Sequence, residues 1–520
     1  MLSTSEEIEQ RDESEKSQSP DSLLKQIIQD LVEAGLQLDP AATDALKDSL
    51  RPDNSNDLLR SIVETTQKSK EGSFIVTDDV IAQALQGLQR VKAEEGLWSR
   101  RAIAKEHEPR VEILSDPGSS TSTTGSVDDF TAYFRSRFEK LTSLLRRRMD
   151  VKGASGLGLA MKARPNERVK VLGMVVEKRE KNERLIVQVD DFDDTGSIII
   201  LKSRNHRLYE MVQSLPVDIV ICIEGRVGSS GAIIADQIHL PEVPERPPAR
   251  AVEPVCAALI SDVHVGSKTF LEDCFCRMLK WLEGDWGTPI QRDLAQRIKY
   301  VTIAGDLVDG IGVYPRQEDD LQIADIYAQY EAAAKFISQI PDHIQVLLLP
   351  GNHDATRLSL PQPPIAAEYA KPVYDSRHIV SLGDPAEVKL HDVRFLLYHG
   401  TSLMDIIASS PHLTFQDPAQ AMEWQLRFRH LSPEYGKRTP IAPEKEDRLV
   451  IEEPPDVFQS GHLHVAQWRT YRGTVIVNSG AWQSITSYQR RMGFKPSPAI
   501  LPVIDLQSLQ VTPVNFHYPS

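Results

Sequence analysis

From residue 254 onward, short apolar runs alternate with stretches of helical spacing, and each run ends abruptly in a polar cluster. VCAALI precedes Ser261-Asp262-Val263-His264, and YVTIA precedes Gly305-Asp306-Leu307-Val308-Asp309-Gly310. IQVLLLP precedes Gly351-Asn352-His353-Asp354, VRFLLY precedes His399-Gly400, and PDVFQS precedes Gly461-His462-Leu463-His464. Short apolar runs of this kind predict buried strands. Between the second and third runs, DLQIADIYAQYEAAAKFISQI predicts a helix. The alternation predicts an α/β layered domain over 254–520 with its polar residues at the carboxyl ends of strands, where open α/β sheets build their sites. In D-x-H and H-x-H, side chains two apart in an extended segment share a face, so each pair is expected to point at one spot.

Upstream the pattern changes. RVKVLGMVVEKRE, RLIVQVDDFD, GSIIILKS, VDIVICIEGRV and GAIIADQIHL predict five strands, with a helix at HRLYEMVQSL between the third and fourth. Five strands in so short a span suggest an OB-type barrel over 166–245, an architecture that often holds single-stranded nucleic acid. Its strands carry few aromatics, which leaves an interaction module as the alternative. The Pro-rich joint LPEVPERPPARAVEP ends it. Helical spacing in LLKQIIQDLVEAGL, SNDLLRSIVETTQ and VIAQALQGLQRV predicts a helical module over 22–93, and 94–128, with SDPGSSTSTTGS, reads as a flexible linker. A helical basic segment follows over 129–165, with an apolar stripe at Phe130, Phe134, Phe138, Leu141 and Leu145.

Composition limits what this arrangement does. A net charge of -15, from 59 bases and 74 acids, excludes a chain that coats nucleic acid by charge alone. Residues 1–21 hold seven acids, two bases and no apolar period, which predicts a disordered tail and no signal peptide. No apolar run is long enough to span a membrane, and four unpaired-looking cysteines fit a reducing, cytoplasmic setting. The basic stretch is 135–170, with eleven Lys or Arg against three acids. Arg146, Arg147 and Arg148 there are candidates for contact with a DNA backbone; the alternative is a solvated helix end favoured by the helix dipole.

Asp, His and Asn without thiolates suit Mn²⁺, Fe, Zn²⁺ or Mg²⁺. Asp306, with two carboxylate oxygens, is able to bridge two cations, and two cations about 3.5–4 Å apart form the clamp used for phosphate-ester cleavage. Five of the 14 histidines fall in these motifs, and the five motifs follow five separate strands.

The set D-x-H, G-D-x-x-D-G, G-N-H-D, H-G and G-H-x-H resembles the signature of the calcineurin-like metallophosphoesterases. YHGTSLMDI, FRHLSPEYGKRTPIAPEKEDRLVIEEPPDVFQSGHLH and YRGTVIVNSGAWQ are similar to the small subunits of archaeal family D DNA polymerases, from about residue 100 to the C-terminus. This resemblance implies a multidomain chain: a small helical module, an OB-type β-barrel and an α/β calcineurin-like metallophosphoesterase domain. It implies a metal-dependent 3′-to-5′ exonuclease that proofreads single-stranded or mismatched DNA ends. A large catalytic subunit would carry synthesis, in a heterodimer or heterotetramer. It further implies two divalent cations, Mn²⁺ first among those above. Asp262, His264, Asp306 and His464 would hold one, and Asp306, Asn352, His399 and His462 the other. His353 would act on the leaving oxygen and Asp354 would orient His353. Arg357 would touch a phosphate or make a surface ion pair. Every ligand position is filled, unlike in the related eukaryotic polymerase small subunits that serve as scaffolds. A non-catalytic scaffold and a stand-alone metallophosphatase are the competing readings.

Overall fold

The computed structural model describes residues 24–25, 27–29, 31, 36–49, 55–68, 75–86, 102–118, 123–493 and 495–517. They form two compact units divided between residues 101 and 102. The expected tail over 1–21 lies outside the described residues.

In the first unit, the helices Pro40–Ser49 and Ser55–Lys68 pack Leu46, Leu58 and Ile62 into a core with Ile81. It is not wholly helical, as the periodicity implied. Strands β1 (Gln37–Leu38) and β2 (Ile75–Val76) form a short parallel pair, and Val76 joins the core.

The second unit begins within the stretch read as a linker. Residues 111–115 form strand β3 (Val111–Ser115), which pairs antiparallel with a strand far along the chain, placing Val111 opposite Leu390 and Ile113 opposite Val388. The alternation in VEIL is overshadowed by the Ser- and Gly-rich residues that follow it. The helix Val127–Arg146 comes next, its start fixed by a capping box between Ser126 and Asp129. Its buried stripe is Tyr133, Arg137, Phe138, Leu141, Thr142 and Leu145. Phe130 and Phe134, expected in that stripe, are only half-buried.

Strands β4 (Arg168–Lys181), β5 (Arg184–Asp190), β6 (Thr195–Leu201), β7 (Val220–Val227) and β8 (Ile233–His239) close a barrel in the order β4-β5-β6-β8-β7. The β6–β8 pairing is parallel, and the helix His206–Gln213 lies between β6 and β7 in sequence. Alternation places Leu185, Val187 and Val189 inside and leaves Ile186 and Gln188 half-buried.

Two six-stranded sheets make up the rest. One runs β12-β11-β10-β9-β18-β19, comprising β9 (Cys256–Ile260), β10 (Ile298–Ala304), β11 (Gln345–Leu349), β12 (Ile379–Ser381), β18 (Ile500–Asp505) and β19 (Val511–Asn515). The other runs β16-β17-β15-β14-β13-β3, with β13 (Ala386–Leu390), β14 (Val393–Leu397), β15 (Val457–Ser460), β16 (Ala466–Tyr471) and β17 (Thr474–Ser479). Strands β9 to β12 are mutually parallel, as are β14, β15 and β17. Alternate residues of one strand serve two cores. Val346 and Leu348 of β11 face the helices Glu272–Glu283 and Ile326–Ile337, while Leu347 and Leu349 meet Phe395, Leu397 and Val477 of the opposite sheet. Burial on both faces is why these strands read as unbroken apolar runs. Among the described residues no helix is long and apolar enough to cross a membrane.

A buried ion pair joins the parts of the second unit. Arg137 Nε donates to Asp447 Oδ2 at 2.7 Å, and its other nitrogens reach Asp218 O (3.2 Å), Tyr133 Oη (2.7 Å) and Pro433 O. His430 Nε2 lies 2.9 Å from the same Asp447 oxygen. Burial would push the Asp447 carboxyl up, but His430 and Arg137 hold it well below the usual range. Removing one partner of such a pair leaves a bare buried charge and costs roughly 3–5 kcal/mol. Arg137→Ala is therefore expected to lower unfolding stability by about that amount in urea titrations. A loss below about 1 kcal/mol would mean that the pair holds nothing together.

Candidate metal centre

The parallel registers bring the polar clusters together. Ile260 is paired with Ile303 and Ala304 with Leu349, so β9, β10 and β11 release their loops at one sheet edge. In the second sheet Leu397 is paired with Gln459, so His399 and the 461–464 turn emerge side by side. Backbone bonds then lock the loops: Asp262 N–H to Gly305 O at 3.0 Å, and Gly461 N–H to His399 O at 2.7 Å.

These segments are not extended, contrary to expectation. Asp262, His264, Asp306, His462 and His464 all have positive φ, between 51° and 69°. Such left-handed backbone costs energy at non-glycine residues and collects at functional sites. The tight turns aim the side chains differently from an extended segment. Asp262 and His264 share one cluster, but His462 and His464 part company. Asp262, His264 and His464 form one group, and Asp306, His399 and His462 another. The turns need two bare α-carbons: a Cβ on Gly351 would lie 2.1 Å from Asp306 Oδ1, and one on Gly461 2.3 Å from Asp262 Oδ2.

Within the first group, His264 Nε2 is 3.2 Å from His464 Nε2, and His464 Nε2 is 3.4 Å from Asp262 Oδ1. Asp306 Oδ2 lies 3.8 Å from His264 Nε2 and 3.3 Å from His399 Nε2, so this carboxylate sits between the groups. Asn352 Oδ1 is 3.0 Å from His399 Nε2. His399 Nδ1 donates to Ala304 O at 2.9 Å, so Nε2 faces the two oxygens of Asp306 and Asn352. Two oxygen acceptors converging on one ring nitrogen call for a proton or a cation. Asp262, His264, Asp306, His399 and His464 are buried, while Asn352, His353 and His462 are half-buried and form the open side. This oxygen and imidazole donor set, shared through one carboxylate, fits two divalent cations.

The electrostatics agree. Burial would push Asp306 up, but His399 and His353 hold it well below the usual carboxylate range; Asp262 is lowered by His464 against the same burial. Burial works against a charged His399, yet Asp306 beside it raises the imidazole to about 10. Loss of hydration, with His399 alongside, pushes His462 down to about 3. Carboxylates stay ionised and positive charge is drawn inward.

His353 lies beside these groups. Its backbone N–H donates to Asp306 Oδ1 at 2.8 Å, and its Nδ1 is 2.6 Å from Asp309 O. The ring is thus held by Asp309, not by Asp354 as expected. Asp354 instead accepts from Gly351 N–H (2.9 Å), Leu307 N–H (3.3 Å) and Tyr330 Oη–H (3.1 Å), which fastens the 351–354 turn to the 305–310 turn. Burial, with Asp306 nearby, lifts the Asp354 carboxyl to about 6. Arg357 pairs with Glu444 at 2.9 Å and donates to Ser359 O and Pro361 O, which is the ion-pair alternative. Arg148 makes a two-pronged pair with Asp150 (3.0 and 2.6 Å) and donates to Leu240 O. Arg146 and Arg147 are exposed at the helix end, where they line a cleft of about 610 Å³ together with Phe138 and Phe192.

Three supporting residues escape the motif reading. Asp309 Oδ1 lies 3.1 Å from His264 Nδ1 and fixes that ring; its signal is the second Asp of GDLVDG. Asp384 Oδ1 accepts His399 N–H at 2.9 Å, and burial lifts this carboxyl to about 7. Gln489 Nε2 is 2.9 Å from His464 Nδ1 and belongs to no motif.

A sequence model of the B subunits of DNA polymerases alpha and epsilon matches residues 257–467. The DNA polymerase II small subunit of Pyrococcus furiosus is 40% identical over 392 residues, covering 75% of this chain and 63% of the relative. The chain thus spans less than two thirds of that relative's length. The DNA polymerase II small subunit of Archaeoglobus fulgidus is 37% identical over 470 residues, covering 89% of this chain and 92% of the relative. Among solved structures, one titled as a novel archaeal phosphodiesterase matches 50% of this chain and 99% of its own at 15% identity, with a TM-score of 0.24, too slight a likeness to carry an argument.

Proposed function

Because this chain belongs to the family of DNA polymerase II small subunits, we propose that it is the proofreading partner of a large polymerising subunit and hydrolyses DNA from the 3′ end. The observation that carries this reading is the pair of donor groups meeting at Asp306. In this reading Asp262, His264, Asp306 and His464 hold one divalent cation, and Asp306, Asn352, His399 and His462 hold a second, with Mn²⁺ the leading identity. Bound there, the cations supply neutralisation of phosphate charge and a lowered pKa for the attacking water.

The chain's own residues do the rest. Asp309 O accepts the His353 Nδ1–H, so only the doubly protonated ring carries a second proton, on Nε2, and it is that proton that passes to the departing 3′ oxygen and leaves a neutral ring. Asp309 and Asp384 fix His264 and the His399 backbone, so neither ring has to reorganise as charge develops. The β4-β5-β6-β8-β7 order, with its parallel β6–β8 pair, supports an OB-type reading of the barrel, and the layered sheets support a calcineurin-like metallophosphoesterase domain. Single-stranded or mismatched DNA ends are the substrates, and the assembly is a cytoplasmic heterodimer or heterotetramer.

The test is release of mononucleotides from a 3′-labelled single strand with Mn²⁺, by the chain alone and with its large subunit. Mononucleotide release, with little hydrolysis of p-nitrophenyl phosphate, is expected. Rapid phosphate-monoester hydrolysis without strand shortening would sink the proofreading reading.

A further inference from the structure

The segment 482–497 leaves the centre and returns to it. Trp482 N–H donates to Asp262 O at 2.9 Å on the way out, and Ser497 N–H donates to His464 O at 2.8 Å on the way back. Between them lies the short helix Ser487–Met492, whose start is a capping box. Thr486 Oγ1 accepts Gln489 N–H at 3.1 Å, and Gln489 Oε1 accepts Thr486 N–H at 3.1 Å. The other end of the same amide, Nε2, lies 2.9 Å from His464 Nδ1.

Donor and acceptor roles follow from this chain of contacts. Thr486 N–H can only donate, so the Gln489 oxygen faces it and the amide nitrogen faces the imidazole. His464 Nδ1 is then the acceptor, and a neutral ring carries its proton on Nε2, directed at His264 Nε2 at 3.2 Å. A cation held by His464 through Nε2 needs a lone pair there. The ring proton must then sit on Nδ1, facing a group that accepts. Gln489 offers an oxygen to Nδ1 only by turning its amide over. That sets its N–H donors against Thr486 N–H and breaks this arm of the capping box, while Gln489 N–H stays on Thr486 Oγ1.

We propose that Gln489 is a positioning residue that couples cation loading at His464 to the helix 487–492, because its one amide serves either the helix cap or the metal ligand. This rests on the metal centre proposed above. Loading the centre loosens the start of the helix, and a side chain with two acceptors at position 489 removes the conflict.

Hydrogen exchange of the Thr486 backbone amide in the full chain, with and without Mn²⁺, tests the coupling alongside a Mn²⁺ binding titration. In the wild type, Mn²⁺ should speed exchange by about 2- to 13-fold, the range that loss of one hydrogen bond gives. In Gln489→Glu the carboxylate accepts from both Thr486 and His464, so Mn²⁺ should bind more tightly and leave exchange unchanged. In Gln489→Leu exchange should be fast throughout and indifferent to Mn²⁺. Mn²⁺ uptake by the wild type without faster exchange overturns the coupling alone, as does a wild-type response in Gln489→Glu. No Mn²⁺ uptake by the wild type overturns the metal centre and the coupling with it.

Discussion

Asp306→Ala is expected to abolish nuclease activity while the chain stays folded. Asp306 Oδ2 stands 3.8 Å from His264 Nε2 and 3.3 Å from His399 Nε2, so one truncation removes the group common to both donor sets. It also frees the 351–354 turn, because Asp306 Oδ1 accepts His353 N–H at 2.8 Å. Removing an outer partner of a metal ligand typically costs about 10–100-fold, and loss of the shared ligand should exceed that. Metal analysis should show cation uptake falling together with the rate. A variant that unfolds at the wild-type temperature and still cuts at the wild-type rate would rule out a shared-carboxylate site.

His353→Ala is expected to slow the chemical step by about 10²–10⁴-fold and to leave cation uptake intact. Its ring nitrogens have different surroundings: Nδ1 is committed to Asp309 O at 2.6 Å, and the ring is half-buried on the open side. A residue so placed can meet a leaving oxygen without reorganising its neighbours. It also lies close enough to His264 and Asp306 to be a ligand, so the two roles are separable by experiment. Loss of about one cation per chain in His353→Ala would reassign it to the metal centre.

Much of this is legible in the sequence, for physical reasons. The five barrel strands alternate in hydrophobicity because one face is buried, and that period survives in the residues. The strands β9, β10, β11, β14 and β15 read as plain apolar runs because both faces are covered, so their ends, where the polar clusters sit, are sharp. What does not show is the turn geometry. Nothing in D-x-H or H-x-H signals left-handed backbone, so spacing alone points His462 and His464 at one spot, and only the family resemblance implies that they part. The family resemblance implies that Asp354 orients His353, but the turn carries its carboxylate down to Gly351 N–H and Tyr330. Gln489 is invisible for the opposite reason: it is far from every motif, and T-x-x-Q announces only the start of a helix. Part of the basic stretch serves the chain itself, since Arg137, Lys140 and Arg148 neutralise acids of this same chain, while Arg146 and Arg147 stay exposed.

The small strand β3 makes the folded regions interleaved rather than consecutive. Residues 111–115 finish the second sheet, yet the helix 127–146 and the whole barrel intervene before β13, the strand they pair with, is reached. The barrel is therefore an insertion, tethered at both ends to the layered domain, and neither part is a piece that can be cut away at the Ser-rich stretch. Ending a deletion at residue 101 leaves the sheet whole. Ending it at residue 118 bares the backbone of β13 over Glu387–Leu390, an open edge of the kind that recruits a strand from another molecule. The shorter chain should then self-associate as its concentration rises, which sedimentation would reveal, while the longer one stays as it was.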